Sequence, residues 1–228
     1  MPYLMALGAL LLVALVFGPQ WWIRRVMARH GADRPDLPGT GGELARHLLN
    51  RFDLPNVKIE ITDKGDHYDP ASKTVRLLKA HHDGRSLSAV AVAAHEVSHA
   101  IQDAGGDRML ALRQQLAGMA QWTDRAAGLF FIAAPLFAIV ARTPLALALL
   151  IGIGLALLAV RVVATLITLP VEFDASFSKA LPILKDGEYL GVDDMPAARS
   201  VLRAAALTYL AGALISLVNL ARWVRLLR

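Results

Sequence analysis

Cysteine is absent from the 228-residue sequence. Its absence excludes disulfide bonds, and it also excludes a zinc site with thiolate ligands. Histidine is absent after His99. Any metal site that includes His99 must therefore take its other protein ligands from carboxylates or from histidines earlier in the chain.

No recognisable nucleic-acid-binding motif accompanies the net charge of +5. The arginines cluster at the ends of apolar segments, where they suit contact with lipid headgroups. We therefore expect a lipid bilayer as a partner and no nucleic acid. The sequence leaves the oligomeric state open.

Charged residues are nearly absent from four segments of 16 to 18 residues, at 2–18, 126–141, 143–160 and 204–221, and the third runs on past Arg161 to Val171. This length approaches the roughly 20 residues that a helix needs to cross a hydrocarbon core. The alternative is four buried helices of a soluble core, but a chain this short has little polar protein to cover them. The composition predicts a mainly α membrane protein with about four transmembrane helices.

The first apolar segment looks like a retained anchor. No basic residue precedes it and no small-x-small cleavage site follows it, so it lacks the pattern of a secretory signal. Arg24, Arg25 and Arg29 follow it, which favours a cytoplasmic location for the region after the anchor.

The most specific pattern in the chain is His-Glu-x-x-His at His95, Glu96 and His99. It lies in an apolar segment, 87–101, that is typical of a buried helix. Residues four apart on a helix share a face, so His95 and His99 can present two imidazoles to one metal ion. Glu96 would lie beside a bound zinc, placed to take a proton from its water. The alternative, a surface helix with two unrelated histidines, does not explain the apolar surroundings.

A small mixed region precedes the motif. Apolar spacing predicts a helix over 43–52, and alternation predicts strands over 57–62 and 74–78, with turns between them. Ser86 or Ser88 is a suitable N-cap for the motif helix, and Gly105-Gly106 ends it. We expect the strand 74–78 to be an edge strand that could pair with an extended substrate.

Two histidines do not complete a zinc site, which usually has three protein ligands and a water. The candidate carboxylates after the motif are Asp103, Asp107, Asp124, Glu172, Asp174, Asp186, Glu188, Asp193 and Asp194. Glu172 stands at the end of the third apolar segment, which can return the chain to the motif. It could equally be an ordinary acidic residue in a first helical turn. The spacing alone does not choose between these interpretations.

Three blocks carry a resemblance to a known family. They are Asp66-His67-Tyr68-Asp69-Pro70, the segment from Ala94 to Gln102 that contains the motif, and the segment from Leu169 to Ser176. In their order the chain resembles the bacterial neutral zinc metallopeptidases of the membrane, the YugP-like group. The resemblance implies a zincin-like domain with His95 and His99 as ligands and Glu96 as the catalytic base. Analogy with gluzincin membrane proteases implies Glu172 as the third ligand.

Further roles follow from this implied site. Asp174 is a candidate to hold a ligand imidazole through its free N–H, and the alternative is a solvated helix residue. Candidate donors to the developing oxyanion are Tyr68, His67, Arg199 and Arg203. Ser98 stands where this family leads us to expect glycine.

The predicted organisation has five parts: an N-terminal transmembrane anchor (1–23), a zincin-like catalytic domain (24–125) with the zinc helix at 87–104, a transmembrane hairpin (126–171), a segment completing the zinc site (172–203), and a C-terminal transmembrane helix with a basic tail (204–228). The predicted activity is that of a zinc-dependent metalloendopeptidase, with one Zn²⁺ and a protein or peptide substrate. The alternative is a non-proteolytic zinc-containing membrane scaffold or chaperone-like protein. The predicted location is the bacterial inner membrane, with a cytoplasmic active site.

Overall fold

A computed structural model describes residues 2–141, 143–208 and 210–212. Two compact units share this chain. One comprises residues 21–111 and 169–208, and the other comprises the described parts of 1–20, 112–168 and 209–228. All predicted site residues belong to the first unit, so the fold is described mainly there.

The chain is mainly helical, with one small sheet. The α-helices are α1 (Pro2–Arg29), α2 (Gly41–Arg51), α3 (Lys79–His82), α4 (Leu87–Ala104), α5 (Arg108–Ala141), α6 (Pro144–Phe173), α7 (Leu181–Asp186) and α8 (Met195–Ala206). A π-helix (Asp174–Ala180) and a short 3₁₀ helix (Val192–Asp194) lie between them. The strands are β1 (Lys58–Thr62), β2 (His67–Asp69) and β3 (Thr74–Leu78).

The prediction of about four transmembrane helices is wrong. Across the described ranges, no helix combines the length and the apolar character that crossing a membrane requires. A spanning helix needs about 20 consecutive, mostly apolar residues, whereas Arg161 interrupts the third segment, and Asp124 and Arg125 directly precede the second within its helix. No membrane-spanning role is therefore assigned to 1–23 or 126–171. The other domain boundaries stay predictions, and most of the predicted C-terminal helix at 204–228 lies outside the described residues.

The sheet differs from the prediction in its strand order. The order is β1-β3-β2, so β3 is the central strand and not an edge strand. It pairs in parallel with β1 and antiparallel with β2. The three-residue strand β2 occupies a segment predicted to be turn, because so short a strand has no measurable alternation in sequence. The two longer strands are confirmed close to their predicted bounds.

Helix α4 forms the core of the first unit. Every residue from Leu87 to Ala100 is buried, and the helix packs against α2, α8, the π-helix and the sheet. The Ser86 side chain accepts a hydrogen bond from the Ala89 N–H, which confirms the predicted N-cap. The Gly105 N–H bonds to the Ile101 carbonyl where the helix ends.

Helix α2 approaches α4 closely at one glycine. A Cβ atom on Gly41 would lie 2.3 Å from the His81 carbonyl oxygen and 2.8 Å from the Ala89 carbonyl oxygen. Only glycine permits this contact. A capping box formed by Thr40, the residue before Gly41, and Glu43 defines the start of α2 here.

Candidate metal centre

Two imidazoles lie side by side on one face of α4. His95 and His99 are only 2% and 1% exposed. Their ring centroids are 4.8 Å apart and their planes meet at 79°. The four-residue spacing in a continuous helix thus directs both side chains towards the same neighbouring elements.

The carboxylate of Glu172 reaches the same place from the C-terminal end of α6. This side chain is 1% exposed. Its Oε2 atom lies 3.4 Å from Nε2 of His95 and 3.3 Å from Nε2 of His99. The three residues offer ligand atoms within 4.8 Å of one another, and the described part of the chain holds no other such group of three.

These separations fit a zinc ion. Zn–N and Zn–O bonds of about 2.0–2.2 Å in a tetrahedral site place neighbouring ligand atoms roughly 3.4 Å apart. The nitrogen–oxygen distances of 3.3 and 3.4 Å match that value. Burying a carboxylate is costly, and a bound cation offsets this cost. Two imidazoles and a carboxylate also form a known catalytic zinc donor set, which leaves a fourth position for water.

The far nitrogen of His95 is held by a serine on the π-helix. Ser176 Oγ lies 3.0 Å from His95 Nδ1 and donates a hydrogen bond of 3.2 Å to the Leu202 carbonyl oxygen. A hydroxyl has only one proton to donate, and Ser176 donates it to the Leu202 carbonyl oxygen. The Ser176 oxygen therefore accepts a hydrogen bond from Nδ1–H of His95. This leaves Nε2 of His95 as the nitrogen with a free lone pair, on the side of Glu172.

The far nitrogen of His99 is held by Gln102, less than one turn along α4. The Gln102 amide oxygen lies 2.8 Å from His99 Nδ1. Its amide nitrogen donates to the Val171 carbonyl oxygen at 3.2 Å and to Asp174 Oδ2 at 2.8 Å.

Asp174 does not hold an imidazole directly, in contrast to the prediction for it. It contacts Gln102 and forms an ion pair with Lys179, so it lies one step further from the histidine. Burial raises the pKa of the Asp174 carboxyl, but hydrogen bonds from Lys179 and Gln102 outweigh burial and bring the pKa below its ordinary value.

The π-helix brings these groups together. It follows Glu172 directly and carries both Asp174 and Ser176. Pro182 comes soon after it, and in a continuous α-helix its ring would clash with the carbonyl four residues earlier. The wider turn of a π-helix avoids this clash, and such turns occur often at functional sites.

Comparison with known proteins identifies the family. A family model described as "Putative neutral zinc metallopeptidase" matches residues 4–228. The chain belongs to this family. It is also similar to "Putative membrane protease YugP" of Bacillus subtilis (strain 168), with 36% identity over 215 residues, which cover 93% of this chain and 91% of the relative. No solved structure matches the chain significantly.

The predicted membership in the neutral zinc metallopeptidase family is thereby confirmed.

The remaining two motif positions are also buried in α4. Glu96 lies in sequence between the two histidines and is 6% exposed. Ser98 donates a hydrogen bond of 2.7 Å to the Ala94 carbonyl oxygen. Its hydroxyl is therefore satisfied inside α4, where the resemblance led us to expect glycine.

The candidate oxyanion donors lie in different settings. Tyr68 is buried and donates a 2.6 Å hydrogen bond to Asp103. Burial raises the pKa of its hydroxyl most, and the hydrogen bond to Asp103 raises it further. His67 bonds to the Gly65 carbonyl oxygen through Nδ1. Arg199 and Arg203 are exposed on α8. These contacts assign none of the four to the developing charge.

Sequence reasoning missed Gln102 and Ser176. Each had a positional signal: Gln102 is three residues after His99, and Ser176 is four residues after Glu172. Both spacings place a polar side chain on the ligand's own helix face. The signal was weak because glutamine and serine are common on helices for other reasons.

Proposed function

We propose that this chain is a zinc-dependent metalloendopeptidase. His95, His99 and Glu172 would hold one Zn²⁺, and Glu96 would be the general base. The observation that carries the proposal is the convergence of two imidazole Nε2 atoms and one carboxylate oxygen at separations of 3.3 and 3.4 Å. Family membership supports the same chemistry.

The residues divide the work of peptide hydrolysis. Zinc, when bound, would lower the pKa of a coordinated water towards about 7 and polarise the scissile carbonyl. Glu96 accepts the proton of the attacking water and later delivers it to the leaving amine. The amine would otherwise depart as an unstable anion. Ser176 and Gln102 keep the two imidazoles oriented while this happens.

The substrate we propose is a protein or peptide in an extended conformation. Because β3 is the central strand, the sheet offers its two edges at β1 and β2. Strand β2 packs against α4, which carries the metal ligands. An extended segment added beside β2 would form backbone hydrogen bonds that do not depend on its sequence.

The name of the Bacillus subtilis relative supports action at a membrane. We infer that this protein works at the bacterial cell membrane, in contact with lipid. The predicted cytoplasmic side of the active site stays a prediction. Fractionation of cells into membrane and soluble fractions would check the location, and recovery of the protein only in the soluble fraction would contradict it.

Peptidase activity tests the proposed function. Casein and a short membrane-protein fragment would be incubated with the wild type, with Glu96→Gln, and with the wild type plus a chelator. Cleavage by the untreated wild type alone is the expected result. Equal residual cleavage in all three samples would refute the enzyme. Zinc retention without any cleavage would instead favour the non-proteolytic zinc-containing scaffold.

A further inference from the structure

The amide of Gln102 has a direction that the surrounding groups determine. Its side chain is 2% exposed, so water does not compete for its hydrogen bonds. On one side it meets the Val171 carbonyl oxygen, and on the other it meets Nδ1 of His99. A peptide carbonyl only accepts hydrogen bonds, so the NH₂ end of the amide must face Val171. The oxygen end must then face His99.

This direction determines which nitrogen of His99 carries the proton. An amide oxygen is only an acceptor, so Nδ1 of His99 must donate to it across 2.8 Å. In the neutral ring the other nitrogen, Nε2, then has the free lone pair. Nε2 is the atom 3.3 Å from the Glu172 carboxylate, where the ion would bind.

We propose that Gln102 is a positioning residue that holds His99 in its metal-binding tautomer, and that the Val171 carbonyl and Asp174 set the direction of its amide. This inference rests on the proposed zinc site. Lys179, paired with Asp174, keeps that carboxylate in place. The chain Lys179–Asp174–Gln102–His99 thus runs from the protein surface to the metal centre.

Gln102 and Ser176 hold their histidines in different ways. The Ser176 hydroxyl can reverse its polarity by rotating about one bond, so its single proton can turn from Leu202 towards His95. The Gln102 amide would have to flip by a half turn and lose both of its donor bonds. Loss of Gln102 should therefore weaken zinc binding more than loss of Ser176.

Zinc affinity of the full-length protein tests this inference. The dissociation constant would be measured by competition with a chelator for the wild type, Gln102→Leu, Ser176→Ala and Gln115→Leu. Gln115 is an exposed glutamine on α5 and serves as the matched control. We expect Gln102→Leu to weaken binding about 10- to 100-fold, as is typical when a group behind a metal ligand is removed. The control should match the wild type, and Ser176→Ala should lie between them.

A reciprocal exchange separates positioning from simple packing. In Gln102→Glu, the new carboxylate can accept from His99 but lies beside Asp174 and loses its donor bonds. Adding Asp174→Asn restores a donor for it. We expect Asp174→Asn to weaken zinc binding in the wild-type background and to strengthen it in the Gln102→Glu background. Equal effects in both backgrounds would overturn the assigned direction of the amide.

The protonated nitrogen can also be observed directly. A long-range proton–nitrogen NMR spectrum of the zinc-loaded wild type should show the proton of His99 on Nδ1 and the metal on Nε2. The opposite assignment, or an unchanged zinc affinity in Gln102→Leu, would refute the role of Gln102. A wild type that binds no zinc would refute the proposed metal centre itself, and the wild-type titration alone would reveal that result.

Discussion

The substitution Glu172→Gln should have opposite effects with and without zinc. Glutamine keeps the shape of the side chain but removes its charge. Without metal, the Glu172 carboxylate is buried with Oε2 3.4 Å from Nε2 of His95 and 3.3 Å from Nε2 of His99, and a buried charge carries a desolvation cost. A glutamine amide has no charge to desolvate and can still donate to the lone pair of a neutral imidazole there. The metal-free variant should therefore be as stable as the wild type or more stable.

The expected magnitudes follow from the two settings. Removal of the desolvation cost of a buried carboxylate is worth about 1–3 kcal/mol. For a chain of this size, each kcal/mol of added stability raises Tm by roughly 2–4 °C. With zinc the sign reverses. Sharing a zinc binding free energy of about 10–16 kcal/mol among four ligands assigns about 2.5–4 kcal/mol to each. Loss of the carboxylate should then weaken zinc binding about 100- to 1000-fold.

Thermal unfolding with and without zinc, together with chelator competition, would measure both effects. Glu188→Gln is the matched control, because Glu188 is an exposed glutamate in the same compact unit. The control should change neither quantity. Undiminished zinc affinity in Glu172→Gln would refute the third ligand. If Glu172→Gln lowers the Tm of the metal-free protein as much as it lowers the Tm of the zinc-loaded protein, the electrostatic argument is refuted.

Three further predictions concern the base, an acid-sensitive carboxylate and a close backbone contact. Glu96→Gln should lower kcat by about 10²- to 10⁴-fold, while the zinc dissociation constant stays near that of the wild type. Asp69 has a pKa lowered to about 2, first because the Ser72 hydroxyl donates a hydrogen bond to it. Its contribution to stability is present above the unfolded-state pKa of about 4 and is lost as the pH falls towards 2. Because this carboxylate is partly exposed, Asp69→Asn should cost only about 1 kcal/mol at pH 6 and less at pH 3, measured by urea unfolding. Gly41→Ala places a Cβ atom 2.3 Å from a backbone carbonyl oxygen, so it should lower stability by about 1–3 kcal/mol in thermal unfolding.

Each of these three has an outcome that would contradict it. A Glu96→Gln variant that has lost zinc as well as activity would indicate a structural effect and not the loss of a base. An Asp69→Asn penalty that grows as the pH falls would have the wrong sign. For the glycine, the comparison is Gly118→Ala, where a new Cβ meets nothing within 4 Å. Equal stability of the two alanine variants would show that the close contact at Gly41 does not matter.

The secondary structure near the motif was predictable because its signals are local. The apolar run, the N-cap at Ser86 and the glycines at 105–106 together define α4. Strand order was not predictable, because β3 joins one partner in parallel and one antiparallel, and β2 has only three residues. The apolar segments were misleading in a different way. Apolar composition records only that a segment avoids water, whereas crossing a bilayer requires about 20 consecutive residues that are mostly apolar within one helix.

The sequence by itself determined the chemistry of one helix face: two imidazoles four residues apart, with a glutamate between them. Helical periodicity alone fixes that geometry. Only the tertiary structure decided which of nine carboxylates joins them, because Glu172 is 73 residues beyond His99 and reaches it through packing between the end of α6 and α4. Tertiary structure also placed Gln102 between Asp174 and His99. Hydrogen-bond direction depends on which donors and acceptors meet in the folded chain, and residue spacing does not carry that information.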